Sequence, residues 1–160
     1  MTYTSCLLRI LFLSSWTMFE GLLRFIGINQ KYGAYSSVMD LTNQERRKLA
    51  EFCREYCMEY LGVPRKKGIP SFSIVKSNKD YFGEYCSENE RIFVYYNQCG
   101  TIQKFVDTFI HEYTHHTQNL NKYDKLLSKF GYDEHPLEVE ARETARKYRG
   151  HCLESYRKLI

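Results

Sequence analysis

A stretch with helical periodicity and an unusual polar edge lies between residues 102 and 117. Its side chains recur at spacings of three and four, which predicts one buried helix face. That face consists of Ile102, Phe105, Val106, Phe109, Ile110, Tyr113 and Thr117. Beside it the sequence places His111, Glu112 and His115 in the order His-Glu-Tyr-Thr-His. Because positions i and i+4 of an α-helix lie on one face, both imidazoles can reach a single ion.

The residue types at this spacing indicate a catalytic metal site. Zinc binds imidazole nitrogen readily, and a catalytic zinc needs a third protein ligand and one position left for water. The pattern therefore predicts one Zn²⁺ per chain, with His111 and His115 as ligands. Glu112 would be the general base that takes a proton from the metal-activated water during peptide-bond hydrolysis. One alternative is a pair of partly buried histidines bonded to backbone groups or carboxylates. Another is a non-catalytic metal-binding module, in which the same residues hold a structural metal or none.

The third ligand is expected from the downstream segment "HPLEVEAR", which offers His135, Glu138 and Glu140. A helix that begins at Pro136 would place Glu138 on the same edge as two alanines, whose small side chains allow close approach to the first helix. Glu138 is therefore the predicted third ligand, and Glu140, on a more polar edge, remains the alternative. The residue before proline is pushed towards extended geometry, so His135 could ligate only from a loop.

The remaining patterns predict an α+β domain. Thr42 and Glu45 spell a capping box at the start of an amphipathic helix. A short strand is expected from about Phe72 to Lys76, and the runs "YFGEYC" and "RIFVYYN", separated by "SENE", predict a hairpin. Helices are expected over "KYDKLLSKF" and from Pro136 onwards. The order of helix, small antiparallel or mixed sheet and further helices is typical of α+β folds.

The first 38 residues form an apolar segment that we separate from a single domain over residues 39–160. Charges at Arg9, Glu20 and Arg24 interrupt it, and its longest uncharged run is too short to span a bilayer. Three interpretations stay open for it: a helix packed on the domain, a membrane-surface anchor, or an upstream extension ahead of a later start such as Met39.

Charge and cysteine usage restrict the partners and the compartment. The net charge of +4 is too small to predict nucleic-acid binding, although the C-terminal helix is basic enough to leave a nucleic-acid or partner-binding module as an alternative function. The six cysteines form no C-x-x-C pair. We expect them to be reduced, mostly core residues of a cytoplasmic protein. The sequence predicts no oligomeric state.

The motifs resemble a known group of enzymes. "HEYTH" followed by Glu138 and Ala141 in the spacing E-x-x-A resembles the zincin metallopeptidases of the gluzincin type. The chain is also similar to compact phage and bacterial metallopeptidase domains, distantly to the ImmA/IrrE-like group, although Arg142 stands where that group has Asn. The resemblance implies a protease acting on a protein or peptide, in the host cytoplasm if the chain is viral.

The resemblance also implies a fold, in which a small sheet packs on the active-site helix and an edge strand receives the substrate backbone. We expect "RIFVYYN" to be that edge strand. Tyr132, His135 and Arg142 are candidates for stabilising the oxyanion of the transition state. Asp107 could accept from the second ring nitrogen of the first motif histidine. His116 points about 100° away from its neighbour and is expected to be solvated or to support a ligand.

Overall fold

Local capping signals set the first helix. The computed structural model describes residue 33 and residues 36–159, and α1 spans Asn43–Tyr60 within it. The Thr42 hydroxyl accepts from the Glu45 N–H at 3.2 Å, while the Glu45 carboxylate accepts from the Thr42 N–H at 2.7 Å. The predicted capping box is therefore confirmed. The predicted apolar face of α1 is buried except at Tyr60, which is 42% exposed.

The sheet has three strands and is mixed. They are β1 (Ser71–Val75), β2 (Gly83–Cys86) and β3 (Arg91–Tyr95). β2 and β3 form the predicted hairpin, paired antiparallel with Gly83 opposite Val94. β1 runs parallel to β3 on its other side, with Phe72 opposite Ile92. The strand order is therefore β1-β3-β2.

This order corrects one expectation. The "RIFVYYN" segment supplies β3, which is the central strand rather than an edge, because both of its sides carry ladder partners. Its last residues also leave the strand and begin a short helix, α2 (Tyr96–Cys99). Among the described strands, β2 and β1 form the edges of the sheet, and β2 is the edge that packs against the helix carrying the His-Glu motif.

Three further helices complete the described fold, which is α+β. They are α3 (Ile102–Thr117), α4 (Tyr123–Phe130) and α5 (Pro136–Leu159). The Thr101 hydroxyl accepts from the Lys104 N–H at 3.1 Å and caps α3, as the sequence predicted. α5 begins at the predicted proline. None of the described helices is long and apolar enough to cross a membrane.

α3 runs through the middle of the domain. Its apolar face contacts α1 and the sheet, and its other side packs along α5. Ala141 and Ala145 of α5 are buried against it, at 0% and 2% exposure. Small side chains at these two positions let the helix backbones approach closely, which is what brings the polar edge of α3 against the start of α5.

Two further expectations concern the N-terminal segment and the cysteines. Most of the apolar segment 1–38 lies outside the described residues, and so does Cys6. Ser37 pairs with Thr101, and Val38 is completely buried, so the packed domain already includes residues 36–38. The other five cysteines are free, and four of them are buried, as expected for reduced core residues.

Candidate metal centre

Three potential ligands converge where α3 meets the first turn of α5. The Nε2 atoms of His111 and His115 lie 3.2 Å apart. The Glu138 carboxylate faces both rings, one oxygen to each: its Oε2 lies 3.2 Å from Nε2 of His111, and its Oε1 lies 3.3 Å from Nε2 of His115. Of the described residues, these three form the group of His, Cys, Asp and Glu side chains that could hold a metal ion.

The spacing and the polarity of these atoms fit a tetrahedral cation. Ligand atoms at about 2.0–2.1 Å from zinc in tetrahedral geometry lie roughly 3.3 Å from one another. The two imidazole nitrogens, 3.2 Å apart, agree with that value. Each of them also lies at a similar distance from one oxygen of the Glu138 carboxylate, 3.2 Å for His111 and 3.3 Å for His115. Glu138 Oε2 is buried and makes no hydrogen bond of acceptable geometry, although His111 Nε2 is close to it. A buried carboxylate oxygen without a donor is costly, and a cation between the three groups would satisfy it.

A side chain at the end of α3 fixes which nitrogen of His115 is free for a metal. Nδ1 of His115 lies 2.8 Å from Oε1 of Gln118. The Gln118 amide nitrogen donates to the Leu137 carbonyl and to the Glu140 carboxylate, both at 2.9 Å. Because those two groups can only accept, the amide oxygen must face His115, and Nδ1 of His115 must carry the proton. The lone pair is then on Nε2, which faces the cluster.

Glu138 is held from behind in a similar way. The Tyr123 hydroxyl donates to Glu138 Oε1 at 2.6 Å. The ring of His135 stacks on Tyr123 at 4.3 Å between centroids, and its Nε2 contacts the Tyr123 carbonyl at 3.1 Å. Nδ1 of His135 accepts from the Leu137 N–H at 3.2 Å, in the first turn of α5. His135 thus ties α4 to the helix that carries Glu138.

Charge coupling within the cluster is strong. Burial raises the pKa of Glu138, but contacts with His111, His115 and Tyr123 outweigh it, so this pKa is held well below its ordinary value. Burial lowers the pKa of His115, but the contact with Glu138 outweighs it, so this pKa is raised. The carboxylate is therefore ionised and available to a cation at neutral pH, and a metal would compete with protons for the imidazole.

Glu112 lies beside the cluster in a dry environment. It is 7% exposed, and burial raises its pKa to about 8, with further increases from the charges of Glu138 and Glu84. The Tyr85 N–H of β2 faces the Glu112 carboxylate and acts in the opposite direction, lowering its pKa. Gly83 lies directly against Glu112, because a Cβ there would meet Glu112 Cγ at 3.2 Å and the Phe93 carbonyl at 2.7 Å. A glycine is needed at this close approach.

One side of the cluster opens into a groove of about 510 Å³ between α3, α5 and the start of β2. His111 and Glu112 line it, whereas His115 and Glu138 do not. Tyr132 and Arg142 line it too; partial burial and the Glu138 charge raise the pKa of Tyr132 to about 12, so its hydroxyl keeps its proton. Accessibility from one side is what distinguishes catalytic zinc sites from closed structural ones.

The other predicted site residues lie elsewhere. His135 is fully buried behind the cluster with both nitrogens engaged, so it does not face the groove. Glu140 is outside the ligand group and accepts from Gln118. Asp107 contacts Lys104 and Arg149 rather than a motif histidine. Gln118 and Tyr123 were not predicted as site residues. Gln118 ends a run of five polar residues, 114–118, at the end of α3, which was a weak signal for it.

His116 is not solvated, which corrects the expectation of an exposed ring. It is 0% exposed, and its Nδ1 lies 3.0 Å from the Tyr85 hydroxyl. Its Nε2 lies 3.0 Å from the Gly68 carbonyl. The ring also packs edge-on against Tyr85 and Tyr113, at 5.6 Å from each. His116 therefore bonds the loop before β1 and strand β2 to α3, and neither nitrogen is free for a metal.

Comparison with protein-family models, with curated proteins and with solved structures gives no significant match. The candidate site therefore rests on its own geometry.

Proposed function

We propose that this chain is a zinc-dependent metallopeptidase. One observation carries the proposal: the imidazoles of His111 and His115 and the carboxylate of Glu138 converge, with nearest atoms at 3.2–3.3 Å, at the head of an open groove. The Glu112 carboxylate lines that groove next to them. A purely structural site has no use for a carboxylate that lines the open side and stays outside the ligand set. The sequence resemblance to gluzincins points in the same direction.

The proposed roles follow from position. His111, His115 and Glu138 would hold Zn²⁺, which supplies Lewis-acid chemistry by acidifying water and polarising a carbonyl. Glu112 would take the proton of the attacking water and deliver it to the leaving amine. A dry carboxylate with a raised pKa is suited to both transfers near neutral pH. The Tyr85 N–H would keep the Glu112 side chain oriented during them.

The free edge of β2 offers a place for the substrate backbone. Tyr95 donates to the Phe82 carbonyl, so the antiparallel ladder turns the N–H groups of Gly83 and Tyr85 away from β3. The Tyr85 N–H is used by Glu112, which leaves the Gly83 N–H facing the groove. An extended peptide would pair with β2 there, by strand addition.

Tyr132 and Arg142 are the proposed partners of the oxyanion. Both line the groove, and both are donors: a protonated phenol and a guanidinium. Arg142 is oriented by a hydrogen bond to the Asp133 carbonyl. Such donors lower the barrier when they face the position where negative charge develops.

The proposal is tested by metal analysis together with a proteolysis assay. The full chain purified with zinc is expected to hold one zinc and to cleave a reduced, unfolded substrate protein. Glu112→Gln should retain the metal and lose cleavage by at least about 100-fold, the usual contribution of a general base. Cleavage that survives Glu112→Gln, or one zinc per chain without cleavage of any unfolded substrate, would overturn the proposal.

A further inference from the structure

The groove continues beyond the metal cluster as a basic channel. We use the name distal groove for the part lined by Lys104 and Asp107 of α3 and by Arg146 and Arg149 of α5. Arg149 contacts Asp107 at 3.2 Å across the groove, from α5 to α3. The distal groove therefore contains three cations and one carboxylate.

The charges in the distal groove do not cancel. Asp107 is shared by two of the cations, since one of its oxygens contacts Lys104 at 3.3 Å and the other contacts Arg149. Arg146 is exposed and has no ion-pair partner among the described residues. Arg142, next along the wall, donates to a backbone carbonyl rather than to a carboxylate. The other carboxylates that line the groove, Glu112 and Asp133, lie at the cluster end.

These cations lie at a defined distance from the reacting centre. Arg142, Arg146 and Arg149 follow Glu138 at helical spacing along one side of α5. At 1.5 Å per residue, Arg146 lies about 12 Å along the helix axis from the third ligand. Lys104 precedes His111 by a similar distance on α3, about 10 Å. An extended peptide advances about 3.3 Å per residue, so these cations lie beside residues three to four positions from the scissile bond.

We infer that the distal groove selects peptide substrates with acidic side chains about three to four residues from the bond that is cleaved. Arg146 would form the ion pair with the acidic side chain, because its own charge has no ion-pair partner in the part of the chain that the structure describes. Lys104 and Arg149 would add to the positive electrostatic potential of the groove. The inference rests on the proposed function, because it concerns the substrate of the same site. A single-stranded nucleic acid is the competing occupant, and the oligonucleotide in the assay below tests it.

A binding assay separates this inference from the peptidase proposal. The protein is the zinc-loaded full chain with Glu112→Gln, which removes turnover. It is compared with the same protein carrying either Arg146→Glu or Lys147→Glu. Lys147 is the matched control, because it is the next residue on α5, is also exposed, and does not line the groove. The probes are a labelled alanine-serine peptide with glutamates, the same peptide with lysines, and a single-stranded oligonucleotide.

The glutamate peptide is expected to bind at least about tenfold more tightly than the lysine peptide, and more weakly as salt is added. Arg146→Glu leaves two cations and two carboxylates in the distal groove and should abolish the preference, while Lys147→Glu should leave it unchanged. Equal binding of both peptides, an equal effect of the two substitutions, or tighter binding of the oligonucleotide would overturn the inference. Cleavage by the chain with Glu112 intact is scored separately: cleavage without acidic preference refutes the inference alone, whereas failure to cleave refutes the peptidase proposal.

Discussion

His115 and His116 are neighbours on α3, and both are buried, at 6% and 0% exposure. Their polar surroundings are opposite. Each nitrogen of His116 meets a conventional partner, the Tyr85 hydroxyl and the Gly68 carbonyl. In His115 only Nδ1 has such a partner, Gln118, while Nε2 faces a second imidazole and a carboxylate.

The difference shows how a buried histidine that stabilises a fold can be distinguished from one that binds a ligand. A histidine with two complementary partners is complete without an ion, and its contribution is to folding. A histidine whose second nitrogen faces another imidazole and a carboxylate has no fixed donor there, and only a bound proton or a cation completes it. Burial alone, the same in both residues, does not separate the two cases. The hydrogen-bond donors and acceptors around each ring distinguish the two cases.

The largest expected effect is on metal affinity. His115→Ala removes one of three ligands, and we expect zinc affinity to fall by more than about 100-fold, beyond the usual effect of losing a group that only supports a ligand. The zinc-free protein should also lose stability, because the substitution leaves a cavity and removes a partner of the Gln118 amide oxygen and of the Glu138 carboxylate. Competition with a chelator measures the first quantity and urea unfolding the second. Unchanged zinc affinity would remove His115 from the site.

The neighbouring substitution should lower stability without affecting zinc binding. His116→Ala leaves the Tyr85 hydroxyl and the Gly68 carbonyl without their partner and creates a cavity, so we expect a loss of about 3 kcal/mol in the free energy of unfolding. Zinc stoichiometry should remain one per chain. Zinc binding by His116→Ala as weak as that by His115→Ala would contradict the distinction between the two histidines.

A smaller loss of zinc affinity is expected when a residue that supports a ligand is changed. Gln118→Leu removes the group that keeps the proton on Nδ1 of His115, and zinc affinity should fall by about 10–100-fold. Glu140→Ala removes only one of two acceptors of the Gln118 amide, so it should cost a few-fold at most. Complete loss of zinc in Glu140→Ala, with Glu138→Ala unaffected, would instead make Glu140 the third ligand.

The smallest effect on zinc binding is expected from a substitution in β2. Tyr85 of this strand contacts both His116 and Glu112. Gly83→Ala introduces a methyl group where the Phe93 carbonyl and Thr108 Cγ2 both lie at 2.7 Å. Overpacking of this kind costs about 1–3 kcal/mol of stability and should displace β2 from Glu112. We expect slower peptide cleavage with unchanged zinc content. Full activity in Gly83→Ala would show that the β2 edge does not orient the base or the substrate.

Much of this arrangement is predictable from local sequence. The α1 capping box, the α3 cap and the position of the His-Glu motif depend on spacings of three and four residues, which one turn of helix fixes. The choice of Glu138 depended on the small alanines that follow it, which are indeed the residues buried against α3.

Contacts between residues that are distant in the sequence could not be predicted from such spacings. The central position of β3 follows from parallel pairing with β1, which comes about 20 residues earlier in the chain. The partners of His116 come from a loop and a strand that precede it by more than 30 residues. The proton assignment of His115 likewise depends on Gln118 meeting residues of α5. Spacing along one helix carries no information about such contacts.

X-ray absorption at the zinc edge of the zinc-loaded full chain tests the central claim most directly. Our account predicts one zinc surrounded by nitrogen and oxygen at about 2.0–2.1 Å, with the multiple-scattering signature of two imidazoles. The signature should fall to one imidazole in His115→Ala and stay at two in His116→Ala. A sulfur shell near 2.3 Å, or a spectrum that His115→Ala leaves unchanged, would contradict the assignment of His111, His115 and Glu138 as the metal centre.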